Sequence, residues 1–209
     1  MPSPVDFYFW TGSTYTYLTV KRIGALAERE GVSVNWRPYN LRALLREHNH
    51  VPFPSGRAKT AYMWRDLERR AEMHGLPFPT TQPAYPSDPE TLNFKAALLA
   101  SEEGWAKEYA LASFDWWFLR GRPPGMDENL TAMLTEMGRD AGTILNRINA
   151  VEMDAKMTAS ADEARALGLF GSPHFVVGRE VFWGDDRLED AFSWARSGRV
   201  IEQPAGSRP

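Results

Sequence analysis

The residue best placed for chemistry is Ser13, which stands where a strand pattern gives way to a helix pattern. Residues 5–9, VDFYF, alternate and are rich in aromatic residues, as is typical of a strand. Gly12 interrupts that pattern, and Ser13 and Thr14 are residue types that favour the start of a helix. The N–H groups at a helix start lie at the positive end of the helix dipole, so they can hold an anion. Ser13 and Thr14 each add a hydroxyl donor there.

Two strands and a helix are needed to place Ser13 at an edge of a sheet. Apolar residues recur at helical spacing after Thr14, and Gly31 is suited to end that helix in a left-handed cap. Residues 32–36, VSVNW, alternate like a second strand. The first 36 residues therefore predict a βαβ unit, with Ser13 at the carboxyl edge of its sheet.

A second structural unit is predicted near the end of the chain. Gly171-Ser172-Pro173 precedes a short strand over residues 174–177, Gly178-Arg179 forms a turn, and residues 180–183 return as another strand. A final helix follows residues 184–187. The Ser172–Pro173 bond is a candidate cis peptide in a tight turn, which would present the backbone of Ser172 towards the start of the first helix.

The residues between these units carry helical patterns throughout. We predict helices over residues 41–46, 58–74, from Asp88-Pro89 to about 103, from about 106 to 117, from 127 to about 137, 140–150 and 152–167. The expected fold class is α/β, with a four-stranded mixed sheet split around an all-helical insertion. The corresponding boundaries are 1–40 with 168–202 for the sheet domain, 41–167 for the helical domain and 203–209 for a flexible tail.

Composition narrows the classes of function. The chain has 209 residues, of which 43% are hydrophobic, and a formal net charge of −3, so a nucleic-acid-binding surface is not expected. It lacks an apolar run long enough to span a membrane and an apolar signal core near Met1, so we expect a cytoplasmic protein. It contains no cysteine, which excludes disulfides and protein thiolates. Any thiol chemistry must use a thiol brought by a ligand.

Four motifs carry a resemblance to a known group of proteins. They are FWTGSTYTYL from residue 9, HNHVPFPSGRAKTAYMWRDLERRA from residue 48, LGLFGSPHFVV from residue 167 and FWGDDRLED from residue 182. Together they resemble the branch of the thioredoxin fold that contains DsbA-like proteins, kappa-class glutathione transferases and 2-hydroxychromene-2-carboxylate isomerases, and they are most similar to the isomerases. The resemblance implies a thioredoxin-like fold, glutathione as cofactor and a homodimer.

The resemblance also implies roles for particular residues. Ser13 matches the catalytic serine, which would donate a hydrogen bond to the glutathione sulfur and hold it as a thiolate. A hydroxyl donor and a helix start both favour the anion and lower a thiol pKa. Asn49 and Lys59 match positions that contact glutathione, and Lys59 is suited to a carboxylate. Thr14 stands where many relatives have proline, and its hydroxyl leaves the assignment of Ser13 open.

The other implied contacts lie in the last two motifs. Ser172, before Pro173, matches the residue whose backbone pairs with the cysteinyl part of glutathione. Asp185 and Asp186 match the pair that receives the γ-glutamyl end, where a carboxylate can take the ammonium and free N–H groups can take the carboxylate. Asp185 replaces a Ser, Asn or Gln of other relatives.

Each of these residues also has an ordinary structural interpretation. A helix cap would explain Ser13, a capping box would explain Asp186 with Glu189, a turn would explain Asn49, and an exposed helix position would explain Lys59. The His48 and His50 pair lacks a third ligand in the sequence, so we expect no metal site there.

The leading functional hypothesis is a glutathione-dependent isomerase of the 2-hydroxychromene-2-carboxylate type, acting on an aromatic or unsaturated carboxylic acid. The cation that binds the substrate carboxylate stays open among Lys59, Arg65 and others. One alternative is a kappa-like glutathione transferase or peroxidase. The other is a non-catalytic DsbA-like protein that binds peptides or small acids.

Overall fold

A computed structural model describes residues 2–51, 53–54 and 56–201. The predicted 203–209 tail lies outside the described residues. Along the chain the elements are β1 (Val5–Phe9), α1 (Thr14–Glu30), β2 (Val34–Pro38), α2 (Leu41–Glu47), α3 (Ala58–Met73), α4 (Leu92–Glu102), α5 (Ala106–Phe118), α6 (Asp127–Glu136), α7 (Ala141–Ile148), α8 (Glu152–Ala166), β3 (His174–Val177), β4 (Glu180–Trp183) and α9 (Leu188–Ser197). A short 3-10 turn over Asp185–Arg187 precedes α9.

The strands of the described chain form one mixed sheet in the order β2-β1-β3-β4. β1 runs parallel to β2, with Phe7 opposite Trp36, and antiparallel to β3, with Tyr8 opposite His174. β3 and β4 form the predicted hairpin, in which His174 lies opposite Trp183. The α/β class and the mixed sheet are therefore confirmed. The register brings the end of β1, the start of β3 and the end of β4 to one edge.

Each face of the sheet is covered by helices, because side chains alternate along β1. Phe7 and Phe9 are fully buried on one face against α1, α9, α3 and α5. Tyr8 and Trp10 are buried on the other face, in a cluster with residues of α2, α4, α5, α6, α7 and α8. The segment predicted as a helical domain, 41–167, thus packs on both faces of the sheet.

Helix α1 forms as its sequence predicts, and its two ends differ. Gly31 ends the helix with a φ of 63°, and its N–H bonds to carbonyls of the last turn. Ser13 occupies the N-cap position in extended conformation but makes no side-chain cap hydrogen bond. The start of α1 therefore retains donor groups that most N-cap serines would occupy.

One predicted helix start is wrong by a few residues. Asp88-Pro89 does not begin α4, which begins at Leu92 instead. The Asp88 carboxylate still serves that helix, because it accepts hydrogen bonds from the N–H groups of Asn93 at 3.1 Å and Phe94 at 3.0 Å. The residue type indicated a cap correctly, but the intervening turn, in which Thr91 has a φ of 63°, moves the start.

Candidate active site

The start of α1 meets the turn before β3 through a pair of serines. The Ser13 Oγ donates a hydrogen bond to the Ser172 carbonyl oxygen at 2.9 Å. Ser172 precedes Pro173 in a cis peptide bond, as the sequence predicts. Ser13 is half-buried, so its hydroxyl stands at the surface of the edge where the strands end.

The side chain of Ser172 is fixed from two sides. Its Oγ accepts the Trp10 backbone N–H at 2.8 Å and lies 2.8 Å from the Thr16 Oγ1. Thr16 is fully buried in the first turn of α1. Sequence reasoning missed Thr16, although its spacing of three residues from Ser13 places it beneath Ser13 on the same helix face. These contacts hold the turn of Ser172 against α1.

The preceding residue, Gly171, is held by two buried side chains. Its carbonyl oxygen accepts hydrogen bonds from the Tyr39 hydroxyl and from the His174 Nδ1, the latter at 2.7 Å. Burial raises the pKa of Tyr39, so the phenol stays a donor. Burial lowers the pKa of His174 to about 4, so its imidazole is neutral and carries its proton on Nδ1. The sequence indicated His174 only as a strand residue near the site, and it gave no signal for Tyr39, which lies 132 residues from Gly171.

Thr14 does not share the position of Ser13. Its side chain is buried, and its Oγ1 donates to the Met63 Sδ of α3 at 3.1 Å. The next residue, Tyr15, donates its hydroxyl to Asp66 at 2.9 Å, so the first turn of α1 is bound to α3 twice. Of the two hydroxyls that the sequence placed at this helix end, only that of Ser13 faces Ser172.

An indole covers each glycine that precedes a site serine. A Cβ on Gly12 would lie 2.6 Å from the Trp10 Nε1, and a Cβ on Gly171 would lie 2.4 Å from the Trp183 Nε1. Neither glycine could carry a side chain without moving a tryptophan. Trp10 is buried, whereas Trp183 is 53% exposed and packs edge-on against the equally exposed Phe170.

The predicted glutathione contacts Asn49 and Lys59 are both exposed, Asn49 just after the end of α2 and Lys59 at the start of α3. Lys59 places its Nζ 5.2 Å from the ring centroid of Phe53, and that ring lies 6.4 Å from the ring of Tyr15 in α1. Asn49 has a φ of 48°, a left-handed conformation that asparagine tolerates. Phe53 thus connects Lys59 to the first turn of α1, whereas Asn49 makes no described side-chain contact with Ser13 or Ser172.

The predicted pair of aspartates divides into a buried and an exposed member. Asp185 is 2% exposed, and its Oδ1 accepts from Thr19 and Arg22 at 3.1 and 2.9 Å. Its Oδ2 accepts from the Nε and a terminal nitrogen of Arg70 at 3.3 and 2.9 Å. Both oxygens are therefore engaged by the protein. Asp186 is exposed and is the carboxylate of this pair that a ligand can reach.

A cavity of about 390 Å³ opens beside the start of α3. Ala58, Ala61 and Trp64 form its apolar wall, and Arg57 and Gln82 contribute polar side chains. An apolar wall with one cation is suited to a flat organic anion.

Metal-ligand clusters and membrane-spanning helices are both absent from the residues that the structure describes. Residues 2–51, 53–54 and 56–201 contain no group of three or more His, Asp or Glu side chains placed to hold a metal ion. None of the helices in the same residues is both long and apolar enough to cross a bilayer.

Comparisons with known proteins identify the family of this chain. A family model described as DSBA-like thioredoxin domain matches residues 4–192. The 2-hydroxychromene-2-carboxylate isomerase of Pseudomonas putida is 30% identical over 193 residues, which cover 88% of this chain and 90% of that protein. This chain belongs to the 2-hydroxychromene-2-carboxylate isomerase family, within the DSBA-like thioredoxin proteins.

Other members of the isomerase family agree in length and fold. The enzyme of the same name from Sphingobium xenophagum is 28% identical over 194 residues, covering 90% of this chain and 96% of that protein. A solved structure of 2-hydroxychromene-2-carboxylate isomerase superposes with a TM-score of 0.76 at 26% identity, covering 88% of this chain and 90% of the other. The thioredoxin-like fold predicted from the four motifs is confirmed.

Proposed function

We propose that this protein is a glutathione-dependent isomerase that acts on an aromatic or unsaturated carboxylic acid of the 2-hydroxychromene-2-carboxylate type. The observation that carries the proposal is the position of the Ser13 hydroxyl, at the start of α1 and 2.9 Å from the Ser172 carbonyl, without a cap bond. The names of the relatives support isomerase chemistry. The glutathione requirement is the part of the proposal that rests on the site.

The chemistry of the site fits a thiolate ligand. The first-turn N–H groups of α1 are not capped by Ser13, and the helix dipole adds positive potential there. The Ser13 hydroxyl is a neutral donor that can turn towards a sulfur. The chain contains no cysteine, so the sulfur has to come from a ligand. These features together favour an external thiol held as its anion.

In this proposal, different residues bind different parts of the glutathione tripeptide. Ser172 offers backbone groups to its cysteinyl part, beside Pro173. Lys59 offers an ammonium to its glycyl carboxylate, with Asn49 nearby in sequence. Asp186 offers a carboxylate to its γ-glutamyl ammonium. Asp185 supports that end indirectly, since its own oxygens are engaged by Arg22 and Arg70.

When bound, glutathione supplies a nucleophilic thiolate that adds to the unsaturated acid and is later eliminated, so that none is consumed. Ser13 stabilises the sulfur anion by hydrogen bonding, and the start of α1 stabilises it electrostatically. In this proposal the cavity beside the start of α3 receives the flat part of the substrate against Trp64. Arg57, which lines the same cavity, is our candidate for the substrate carboxylate.

The test is calorimetric titration with glutathione, combined with thiolate absorbance as a function of pH. We expect the wild type to bind glutathione with a thiol pKa well below that of the free tripeptide. Ser13→Ala should lose that lowering, and kcat/KM on a hydroxychromene carboxylate should fall by about 100-fold or more. Thr14→Val is the matched control, because its hydroxyl faces Met63, and it should keep the lowered pKa.

Two outcomes would contradict the proposal in different ways. Failure of the wild type to bind glutathione at millimolar concentration would leave a DsbA-like binding protein whose ligand is different. Binding accompanied by net consumption of glutathione, as a conjugate or a disulfide, would indicate a kappa-like transferase or peroxidase instead.

A further inference from the structure

The single hydrogen of the Ser13 hydroxyl is already in use. It is donated to the Ser172 carbonyl oxygen at 2.9 Å. A serine hydroxyl has one donor hydrogen, so Ser13 cannot bond to this carbonyl and to a sulfur at the same time. Activation of a thiol by Ser13 therefore requires that the bond to Ser172 be broken first.

The Ser172 carbonyl is fixed, because hydrogen bonds hold the turn that contains it. The Ser172 Oγ bonds to the Trp10 N–H and contacts the Thr16 Oγ1, and the adjacent Gly171 carbonyl accepts from Tyr39 and His174. On the far side, the Pro173 carbonyl accepts the N–H of Gly184 at 3.0 Å. By contrast, the Ser13 hydroxyl needs only rotation about its Cα–Cβ bond. The hydroxyl is the movable partner.

We propose that Ser172 determines which thiols this site activates, because its carbonyl holds the Ser13 hydrogen and a ligand N–H that bonds to the same oxygen compensates for the loss when Ser13 turns to the sulfur. This inference rests on the proposed function, in which the cysteinyl part of glutathione lies beside Ser172. A cysteinyl N–H that bonds to the Ser172 carbonyl frees the Ser13 hydroxyl to donate to the sulfur of the same residue. The site then activates thiols of N-acylated cysteine and leaves simple alkyl thiols in their protonated form.

Thr16 is a positioning residue in this scheme. It touches neither the thiol nor the substrate, but its Oγ1 lies 2.8 Å from the Ser172 Oγ and helps to aim the carbonyl at Ser13. When Ser13 turns to the sulfur, the Ser172 carbonyl loses a hydrogen bond. A ligand N–H that bonds to this carbonyl restores the bond, whereas a ligand without an N–H leaves the carbonyl without a donor, which costs more free energy. The exchange therefore favours ligands that bring their own N–H.

The deciding experiment compares glutathione with an analogue in which the γ-glutamyl amide N–H is replaced by an ester oxygen. Both ligands are titrated to saturation, and the pKa of each bound thiol is measured by thiolate absorbance relative to that of the same free thiol. We expect the lowering for glutathione to exceed that for the ester by at least one pH unit. In Ser13→Ala the difference between the two ligands should vanish, because no hydroxyl remains to be released.

Equal lowering for the two ligands in the wild type would overturn this inference and leave the proposed function standing. Glutathione that does not bind, or that binds with an unchanged pKa, would overturn both. A crystal structure of the glutathione complex gives an independent test. We expect the Ser13 Oγ to lie more than 3.5 Å from the Ser172 oxygen, with the cysteinyl nitrogen in hydrogen-bond range of that oxygen; a retained bond between the two serines would refute the exchange.

Discussion

At the scale of single residues, Ser13 occupies the N-cap position of α1 without bonding to the helix. Asp140 occupies the same position in α7 and accepts both the N–H and the Oγ1 hydrogen of Thr143, at 3.1 and 2.7 Å. The first side chain bonds to the Ser172 carbonyl and not to its own helix, whereas the second stabilises its helix.

This contrast predicts that the two residues contribute differently to the free energy of unfolding. Asp140→Ala should lower the free energy of unfolding by about 1 kcal/mol, as the loss of a cap generally does. Ser13→Ala removes only the bond to the partly exposed Ser172 carbonyl, so it should lower the free energy of unfolding by about 0.5 kcal/mol while it removes thiol activation. Urea unfolding of the two variants, with circular dichroism as the probe, measures the difference. A loss of 1 kcal/mol or more in Ser13→Ala would mean that the hydroxyl has a mainly structural role.

A second residue-level prediction concerns His174. Its pKa is lowered to about 4 in the folded chain, below the ordinary value of 6.5, so the unfolded state binds the proton more readily. Stability should therefore be complete above about pH 6.5 and decline as the pH falls to about 4, by as much as about 3 kcal/mol. His174→Asn, which can still donate to Gly171, should flatten this part of the pH profile of urea midpoints. The pKa of His74 is also lowered by burial, so some slope will remain.

Substrate binding can be examined at Arg57. Arg57→Gln should raise the KM of the carboxylate substrate about tenfold, the usual effect of losing one charge-assisted hydrogen bond, and leave glutathione affinity unchanged. The matched control is Arg65→Gln in α3, the helix that Arg57 precedes, since Arg65 is exposed and pairs with Glu68. Steady-state kinetics and calorimetry separate the two effects. If the KM of Arg57→Gln is no higher than that of Arg65→Gln, the substrate carboxylate does not bind at Arg57.

At the scale of elements, the 3-10 turn before α9 is joined to α1 and α3 by Asp185. The carboxylate lies between Arg22 of α1 and Arg70 of α3, and Arg22 also pairs with Glu189 of α9. Removing the acid would take from Arg70 the carboxylate that it binds and would leave Arg22 paired with Glu189 alone, which is costly for cations that are partly buried.

We expect Asp185→Ala to lower the free energy of unfolding by about 3 kcal/mol. The neighbouring Asp186→Ala should have an effect below about 0.5 kcal/mol, because Asp186 is exposed, but it should weaken glutathione binding. Guanidinium unfolding together with calorimetry of both variants tests this division of roles. Comparable stability losses in the two variants would contradict it.

The elements also show what the sequence could predict. Strands, the 178–179 turn and the helices of residues 41–166 follow from local alternation and helical spacing, which the fold preserves. Thr16, Tyr39 and His174 were not predicted as site residues because their partners lie more than 130 residues away or in a turn whose geometry depends on the sheet register. The burial of Asp185 was missed for the same reason, as its two arginines come from separate helices.

At the scale of the whole molecule, residues of the helical segment 41–167 complete the apolar core on both faces of the sheet. Trp117 and Phe118 of α5 are almost fully buried, and Phe118 stacks on Tyr17 of α1 with ring centroids 4.2 Å apart. The helical segment and the sheet therefore share their apolar clusters, and the predicted boundaries at residues 40 and 168 stay a prediction.

We therefore expect one cooperative unfolding transition. Far-ultraviolet circular dichroism, which is dominated by helices, and tryptophan fluorescence should give the same urea midpoint and slope. Phe118→Ala should shift both signals together, by about 3 to 4 kcal/mol. Two separate transitions would instead show that the segment 41–167 folds as an independent domain.

The indole of Trp10 lies over Gly12, in the turn that presents Ser13. Its emission will depend on the polarity and charge around that turn, so the protein contains an intrinsic optical probe at its own site. An anion that arrives at Ser13 changes the electric field across this ring directly. The spectral difference between the wild type and Trp10→Phe would isolate that contribution from those of the other seven tryptophans and would allow ligand arrival to be followed in real time without a label.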